Sequence, residues 1–383
     1  MIKIPIVAYG RSAVGKGRKG SLAKAHPVDY GAEVLKGVLD RLPELDPQLI
    51  DDVIVGSSAS DGVHGMNLGR NLVLRAGLPH EIPGQTVNRF CSSGLQTIAD
   101  AAANIHAGYG DVIVAGGVES MTNFSISMDE KYHNQWLRDH SDAYIPMGVT
   151  AENVADKYDI SRKEMEEYAV ESHQRAAKAI EAGAFVKEII PVTGYDSEGQ
   201  SFEFKEDETV RPNTSLEGLA ALKPAFKEDG KVAAGTSSGI NDGAGFTVLM
   251  SQARCQDLGI EPIAYFRAFA VAGVDPAYMG IGPIAAVPKV FEQSGLSLAD
   301  MDVIEFNEAF ASQVIATARE LDFDMDKVNP RGGAIALGHP LGATGAIMTC
   351  KAISYLKDTG GKYGLITMCI GGGMGAAGII EMA

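Results

Sequence analysis

Two cysteines stand where an apolar strand gives way to small, glycine-rich residues. Cys91 lies in Thr86-Val87-Asn88-Arg89-Phe90-Cys91-Ser92-Ser93-Gly94-Leu95, and Cys369 in Ile366-Thr367-Met368-Cys369-Ile370-Gly371-Gly372-Gly373. Such junctions set a thiol beside backbone N–H groups. After Cys91, Leu95, Ile98, Ala102 and Ile105 recur at spacings of three to four. That spacing predicts a helix, whose positive end favours a thiolate, so Cys91 is the better nucleophile candidate. A third group comes from Gly338-His339-Pro340-Leu341-Gly342-Ala343-Thr344-Gly345, where the following proline holds the histidine out of helix. A nucleophile, a base and an acid are all on offer.

Short apolar strands at 52–56 and 111–117 alternate with helical patterns at 30–42 and 94–107. That alternation marks βαβ units around a largely parallel sheet. Residues 1–10 read as a first strand, interrupted by Pro5. From about 119 to 243 the pattern changes to polar turns, an amphipathic helix at 161–182 and mixed charge at 196–208, which reads as an insertion. Strand and helix alternation resumes at 246–250 and runs through 302–306 and 364–368. The chain therefore divides into a half spanning 1–250, which carries the insertion, and a second half spanning 251–383. Asn307 and Glu308 fall at the carboxyl end of the strand at 303–306, where open α/β sheets bind ligands. Asn307 also reads as the N-cap of a helix running to Ala316.

The 383 residues are 45% hydrophobic and 21% charged, the balance of a soluble globular protein. A formal charge of −16 argues against non-specific binding to nucleic acid or anionic membrane. An anionic substrate must find a local basic pocket. Four scattered cysteines without a CxxC pair make no disulfide framework and indicate a reducing compartment. No run approaches the ~18 apolar residues of a membrane span. The cytoplasm is the expected location, with mitochondrial matrix or peroxisome open if a leader has been removed.

Each candidate has a plainer reading. Cys91 alone would suit a buried small hydrophobe, but its place at a strand-to-helix junction favours chemistry. Cys255 and Cys350 read as fillers, and His64, His80, His106, His133, His140 and His173 as surface groups. Gly15 to Gly20 and Gly373 to Gly378 both match GxGxxG, yet neither can open a βαβ dinucleotide unit. Zinc sites take paired local ligands, which are missing, so no metal is expected.

Together, Asn88-Arg89-Phe90-Cys91-Ser92-Ser93-Gly94-Leu95-Gln96, Asn307-Glu308-Ala309-Phe310, Gly338 to Gly345 and Cys369 to Gly375 resemble the thiolase family. Residues 147–155 and 238–244 extend the resemblance over nearly the whole chain. It implies an α/β fold, a five-layer sandwich of two βαβαβαββ halves, each with a mixed five-stranded sheet, and an inserted loop domain covering the substrate. It implies that Cys91 is acylated, that His339 activates it, and that Cys369 serves as acid or base at the acetyl-CoA carbon. One oxyanion hole would fall to His339 with a water held by Asn307, the other to the N–H groups of Cys91 and Gly371. Coenzyme A would be a co-substrate with no permanently bound cofactor. Ser238 would lie near its pantetheine and Arg211 near its nucleotide, with Phe226, Met147 and Phe310 as apolar contacts. 3-Ketoacyl-CoA and acetyl-CoA are the implied partners, and the chain would form a homodimer or homotetramer. Short-chain biosynthetic members usually carry His where this chain has Pro146, and Asn-Ala-Ser where it has Thr236-Ser237-Ser238. Both departures point to a broad-range degradative 3-ketoacyl-CoA thiolase. Acetoacetyl-CoA thiolase is the alternative, and a non-catalytic acyl-CoA carrier is disfavoured because Cys91, His339 and Cys369 are all present.

Overall fold

A computed structural model describes residues 3–59, 61–123 and 130–383. Met1 and Ile2 of the expected first strand, and six residues of the expected insertion, lie outside them. The first half runs β1 (Ile4–Arg11), α1 (Pro27–Leu39), β2 (Asp52–Gly56), α2 (Leu68–Arg75), β3 (Gln85–Val87), α3 (Ser93–His106) and β4 (Val112–Ser120). The insertion carries α4 (Met147–Lys157), α5 (Arg162–Glu181) and a hairpin of Val192–Tyr195 with Ser201–Phe204. Then come β5 (Asn241–Met250), β6 (Ala264–Gly273), α6 (Gly282–Ser294), β7 (Val303–Phe306), α7 (Ala311–Leu321), α8 (Leu341–Thr359), β8 (Tyr363–Ile370) and β9 (Met374–Met382).

Period-2 alternation sorts the strand residues into layers. Val53, Val55, Val112 and Val114 pack with Tyr30, Leu35 and Val38 of α1. Their neighbours Ile54, Ile113 and Ala115 face the other way, onto Leu95 and Ile98 of α3 and Cys350 and Ile353 of α8. Ile366, Met368 and Ile370 of β8 reach α3 and α8 from the opposite side, while Leu365 and Cys369 pack outward with Val287, Val290 and Val314 of α6 and α7. The result is five layers, with α3 and α8 in the middle. Close approach there requires glycine, since a Cβ on Gly345 would lie 2.4 Å from the Leu95 nitrogen.

Two features depart from the expectation of separate five-stranded sheets. The strands run β7-β8-β9-β6-β1-β5-β4-β2-β3 in one hydrogen-bonded network, because Ile4 to Ile6 of β1 pair with Ala264 to Phe266 of β6. The second half has four full strands, its fifth reduced to a bridge between Ile304 and Val328. The cause is Asn329. Its carboxamide accepts from the Phe306 N–H at 2.8 Å and donates to the Phe306 carbonyl at 2.8 Å, so a side chain replaces the ladder, and Pro330 then offers no N–H.

The insertion is fastened by buried charge. Arg11 at the end of β1 donates to Glu188 at 2.7 Å and to both oxygens of Asp207 at 2.8 and 2.9 Å. Ser161 and Glu164 form a capping box on α5, and Tyr168 and Ser172 of that helix donate to the buried Glu308 carboxylate at 2.7 Å each.

Candidate active site

Cys91 sits in the single turn Phe90–Ser92 ahead of α3. The turn is strained, with Phe90 at φ +45°, and is held by donation from the Phe90 N–H to Asn88 Oδ1 at 2.9 Å and from the Arg89 N–H to Ser93 Oγ at 2.9 Å. The N–H groups of Gly371 and of Cys91 itself point at the Cys91 sulfur, yet burial outweighs them and pushes the thiol up to about 12. The expectation of a helix-stabilised thiolate therefore fails in the resting protein. Desolvation of a fully enclosed sulfur exceeds what two N–H dipoles and a helix end return.

His339 lies between the short helix Ala334–Leu337 and α8. Gly338 has φ +99°, and a Cβ there would meet the Asn241 carboxamide at 2.5 Å. That carboxamide accepts the His339 N–H at 3.0 Å. The imidazole is buried, which pulls it down to about 3, so it is neutral. The Thr344 hydroxyl donates to the Pro340 carbonyl at 3.0 Å and must therefore accept from His339 Nδ1 at 2.6 Å. By this bonding the proton is on Nδ1, and Nε2 keeps its lone pair 3.3 Å from Asn307 Nδ2.

Asn307 does not cap a helix. Residues 307–310 lie outside any helix, with Phe310 extended, and α7 begins at Ala311, because Phe310 bridges to Ser237 and Ala309 accepts from the Ser238 N–H at 2.9 Å. Cys369, at the end of β8, donates its thiol to Gln313 Oε1 at 2.9 Å, and Gln313 Nε2 donates to the Asn307 carbonyl at 3.0 Å. The Cys369 thiol is held well above the ordinary thiol range by burial, with the nearby Cys91 adding to it. Gly372 and Gly373, at φ +82° and +83°, turn the chain so that Gly371 faces Cys91. One continuous set thus runs from His339 through Asn307 and Gln313 to Cys369 and Cys91.

Met147 and Phe226 flank this set. A Cβ at Gly371 would lie 3.9 Å from Met147 Sδ, and Phe226 meets Phe310 edge-to-face with centroids 5.8 Å apart. Arg211 is exposed and stands apart from the thiols, at a cavity of about 320 Å³ lined also by Lys16, Arg18, Ser237 and Gly338. Among the described residues no group of three or more His, Cys, Asp or Glu side chains is placed to hold a metal ion.

Two histidines assigned to the surface are buried. His64 accepts from the Ser120 N–H at 2.9 Å and His173 from the Arg211 N–H at 3.1 Å, and burial pulls each down to about 4. Sequence reasoning also passed over Gln313, Thr344 and Glu119. Glu119, one residue before the end of β4, accepts from Ser57 Oγ, Ser58 N and Gly342 N at 3.0, 2.8 and 2.7 Å, which ties the His339 loop to the sheet. A polar residue inside an apolar run, as at Gln313 and Glu119, was the available signal.

The fold is that of solved acyltransferases. The crystal structure of a Bacillus anthracis acetyl-CoA acetyltransferase matches with TM-score 0.92 at 40% identity, covering 100% of this chain and 99% of that one. Human mitochondrial 3-ketoacyl-CoA thiolase matches with TM-score 0.89 at 38% identity over 100% and 99%. A 3-ketoacyl-CoA thiolase of Bacillus subtilis (strain 168) is 46% identical over 98% of this chain and 98% of its own length. The descriptions "Thiolase, N-terminal domain" and "Thiolase, C-terminal domain" match residues 4–253 and 260–382. The chain belongs to the thiolase family.

Proposed function

We propose that the chain cleaves 3-ketoacyl-CoA with coenzyme A, releasing acetyl-CoA and an acyl-CoA shortened by two carbons. The observation that carries this reading is the bonded set linking His339, Asn307, Gln313 and Cys369, with Cys91 beside it. Cys91 attacks C3 as His339 Nε2 takes its proton; both groups rest neutral, so the proton moves only as the sulfur–carbon bond forms. The oxyanion on C3 meets the N–H groups of Cys91 and Gly371, donors of a kind worth ~3 kcal/mol in such sites. The C2–C3 bond breaks, its electron pair takes the Cys369 proton, and acetyl-CoA departs. His339, with a water held by Asn307, steadies the thioester enolate. The coenzyme A thiol then returns a proton to Cys369 and attacks acyl-Cys91, whose sulfur leaves with the proton from His339.

Ser238 lies along the pantetheine and Arg211 at the nucleotide, a reading supported by the basic residues Lys16, Arg18 and Arg211 around one cavity. Met147, Phe226 and Phe310 wall the acyl path. Coenzyme A enters as co-substrate, and no resident cofactor takes part. The chain works as a homodimer or homotetramer; β3 ends the sheet and offers a free edge. Four free thiols suit a reducing compartment such as the cytoplasm.

Intact-mass analysis after incubation with an acyl-CoA tests the roles. Cys91→Ser should take up no acyl group and lose thiolysis by at least ~1000-fold, whereas Cys369→Ala should still be acylated yet fail to cleave or form the carbon–carbon bond. Equal acylation of Cys91→Ser and wild type would overturn the assignment. Thiolysis over acyl chains of increasing length separates the degradative reading from an acetoacetyl-CoA thiolase, which would act on the four-carbon substrate alone.

A further inference from the structure

Gln313 is fully buried on α7 and has no freedom in how its amide is oriented. Its nitrogen donates to the Asn307 carbonyl, an acceptor only, so its oxygen must face the Cys369 sulfur 2.9 Å away. An oxygen without hydrogens accepts only from a protonated thiol. We propose that Gln313 is a positioning residue that holds Cys369 as the thiol and sets how tightly that thiol keeps its proton. The proposal rests on Cys369 acting as the acid and base at the substrate carbon.

The chemistry gives this contact a purpose. A proton on C2 of a thioester is weakly acidic, so the group that removes it in condensation must be a strong base, which means a conjugate acid that ionises with difficulty. An amide oxygen hydrogen-bonds the neutral thiol and repels the thiolate, so it strengthens that base. In cleavage the Cys369 S–H bond breaks as the C2–H bond forms, and the amide oxygen then drives the thiolate to recover a proton from the coenzyme A thiol. Burial raises the Cys369 thiol and Cys91 adds to it, so the part played by Gln313 rests on which amide atom faces the sulfur; the titratable group whose charge reaches Cys369 is Cys91, with His339 farther off across Asn307.

Two variants test the role. Gln313→Met fills the space without an acceptor, and Gln313→Glu keeps the shape and adds charge. In a Cys91→Ser background, the pH of half-maximal iodoacetamide labelling of Cys369, read by peptide mass, should fall in Gln313→Met and rise in Gln313→Glu. With Cys91 present, Gln313→Met should lose about tenfold or more in thiolysis and markedly less in acylation of Cys91 from acetyl-CoA. Equal loss of both half-reactions, or labelling profiles that do not separate, would overturn the role of Gln313. If Cys369→Ala keeps full thiolysis, the underlying reading of Cys369 falls instead.

Discussion

At the scale of single residues, proton placement is the theme. Thr344 offers a test separate from the reacting groups. Its hydroxyl gives its hydrogen to the Pro340 carbonyl and so fixes the His339 tautomer from behind. Thr344→Val keeps the shape but leaves the Nδ1 hydrogen without an acceptor; thiolysis should fall about tenfold or more and stability by about 1–2 kcal/mol. Thr344→Ser should recover most of the rate. Steady-state thiolysis of the two variants checks this, and equal rates would sink it. Cys91, His339 and Cys369 were legible as residue types in glycine-rich breaks. Thr344 lies in the same motif, but its role was not legible, because its bond to an imidazole five residues earlier depends on where α8 begins.

Among elements, β7 and the segment after it show a side chain doing a strand's work. Asn329 satisfies both backbone groups of Phe306 and also donates to Glu308 at 2.8 Å, so it sets the height at which Asn307 leaves the sheet. Asn329→Ala takes this partner from both backbone groups of Phe306 and removes one bond to Glu308, which keeps those from Tyr168 and Ser172. The expected cost is about 3 kcal/mol or more, read from guanidinium unfolding, and a loss under about 1 kcal/mol would show that the ladder substitute is dispensable. The helices at 94–107 and 161–182 were legible from periodicity and closely match α3 and α5. The start of α7 was not, because a long-range bridge from Phe310 to Ser237 holds Phe310 extended and keeps residues 307–310 out of the helix.

For the whole molecule, burial of neutral imidazoles links stability to pH. His64, His173 and His339 are held at about 4, 4 and 3 against an ordinary value of 6.5. Below 6.5 the unfolded chain binds protons that these native imidazoles refuse, so their contribution is intact above 6.5 and is lost as pH falls from there toward 4. His64→Gln removes one of the three. Its unfolding free energy, measured in guanidinium at pH 6.5, 5.5 and 4.5, should fall with a slope shallower than wild type by up to ~1.4 kcal/mol per pH unit; an unchanged slope would refute the account. Sequence alone determined the alternation of strands and helices, the change of pattern after 119 and the residue types set in the glycine-rich breaks, because these follow from residue type and short-range spacing. Tertiary structure decided the joining of the strands into one network, the burial of His64 and His173, and the neutral resting state of Cys91. Those depend on what packs over a residue from tens to hundreds of positions away, and desolvation has no signature in local sequence.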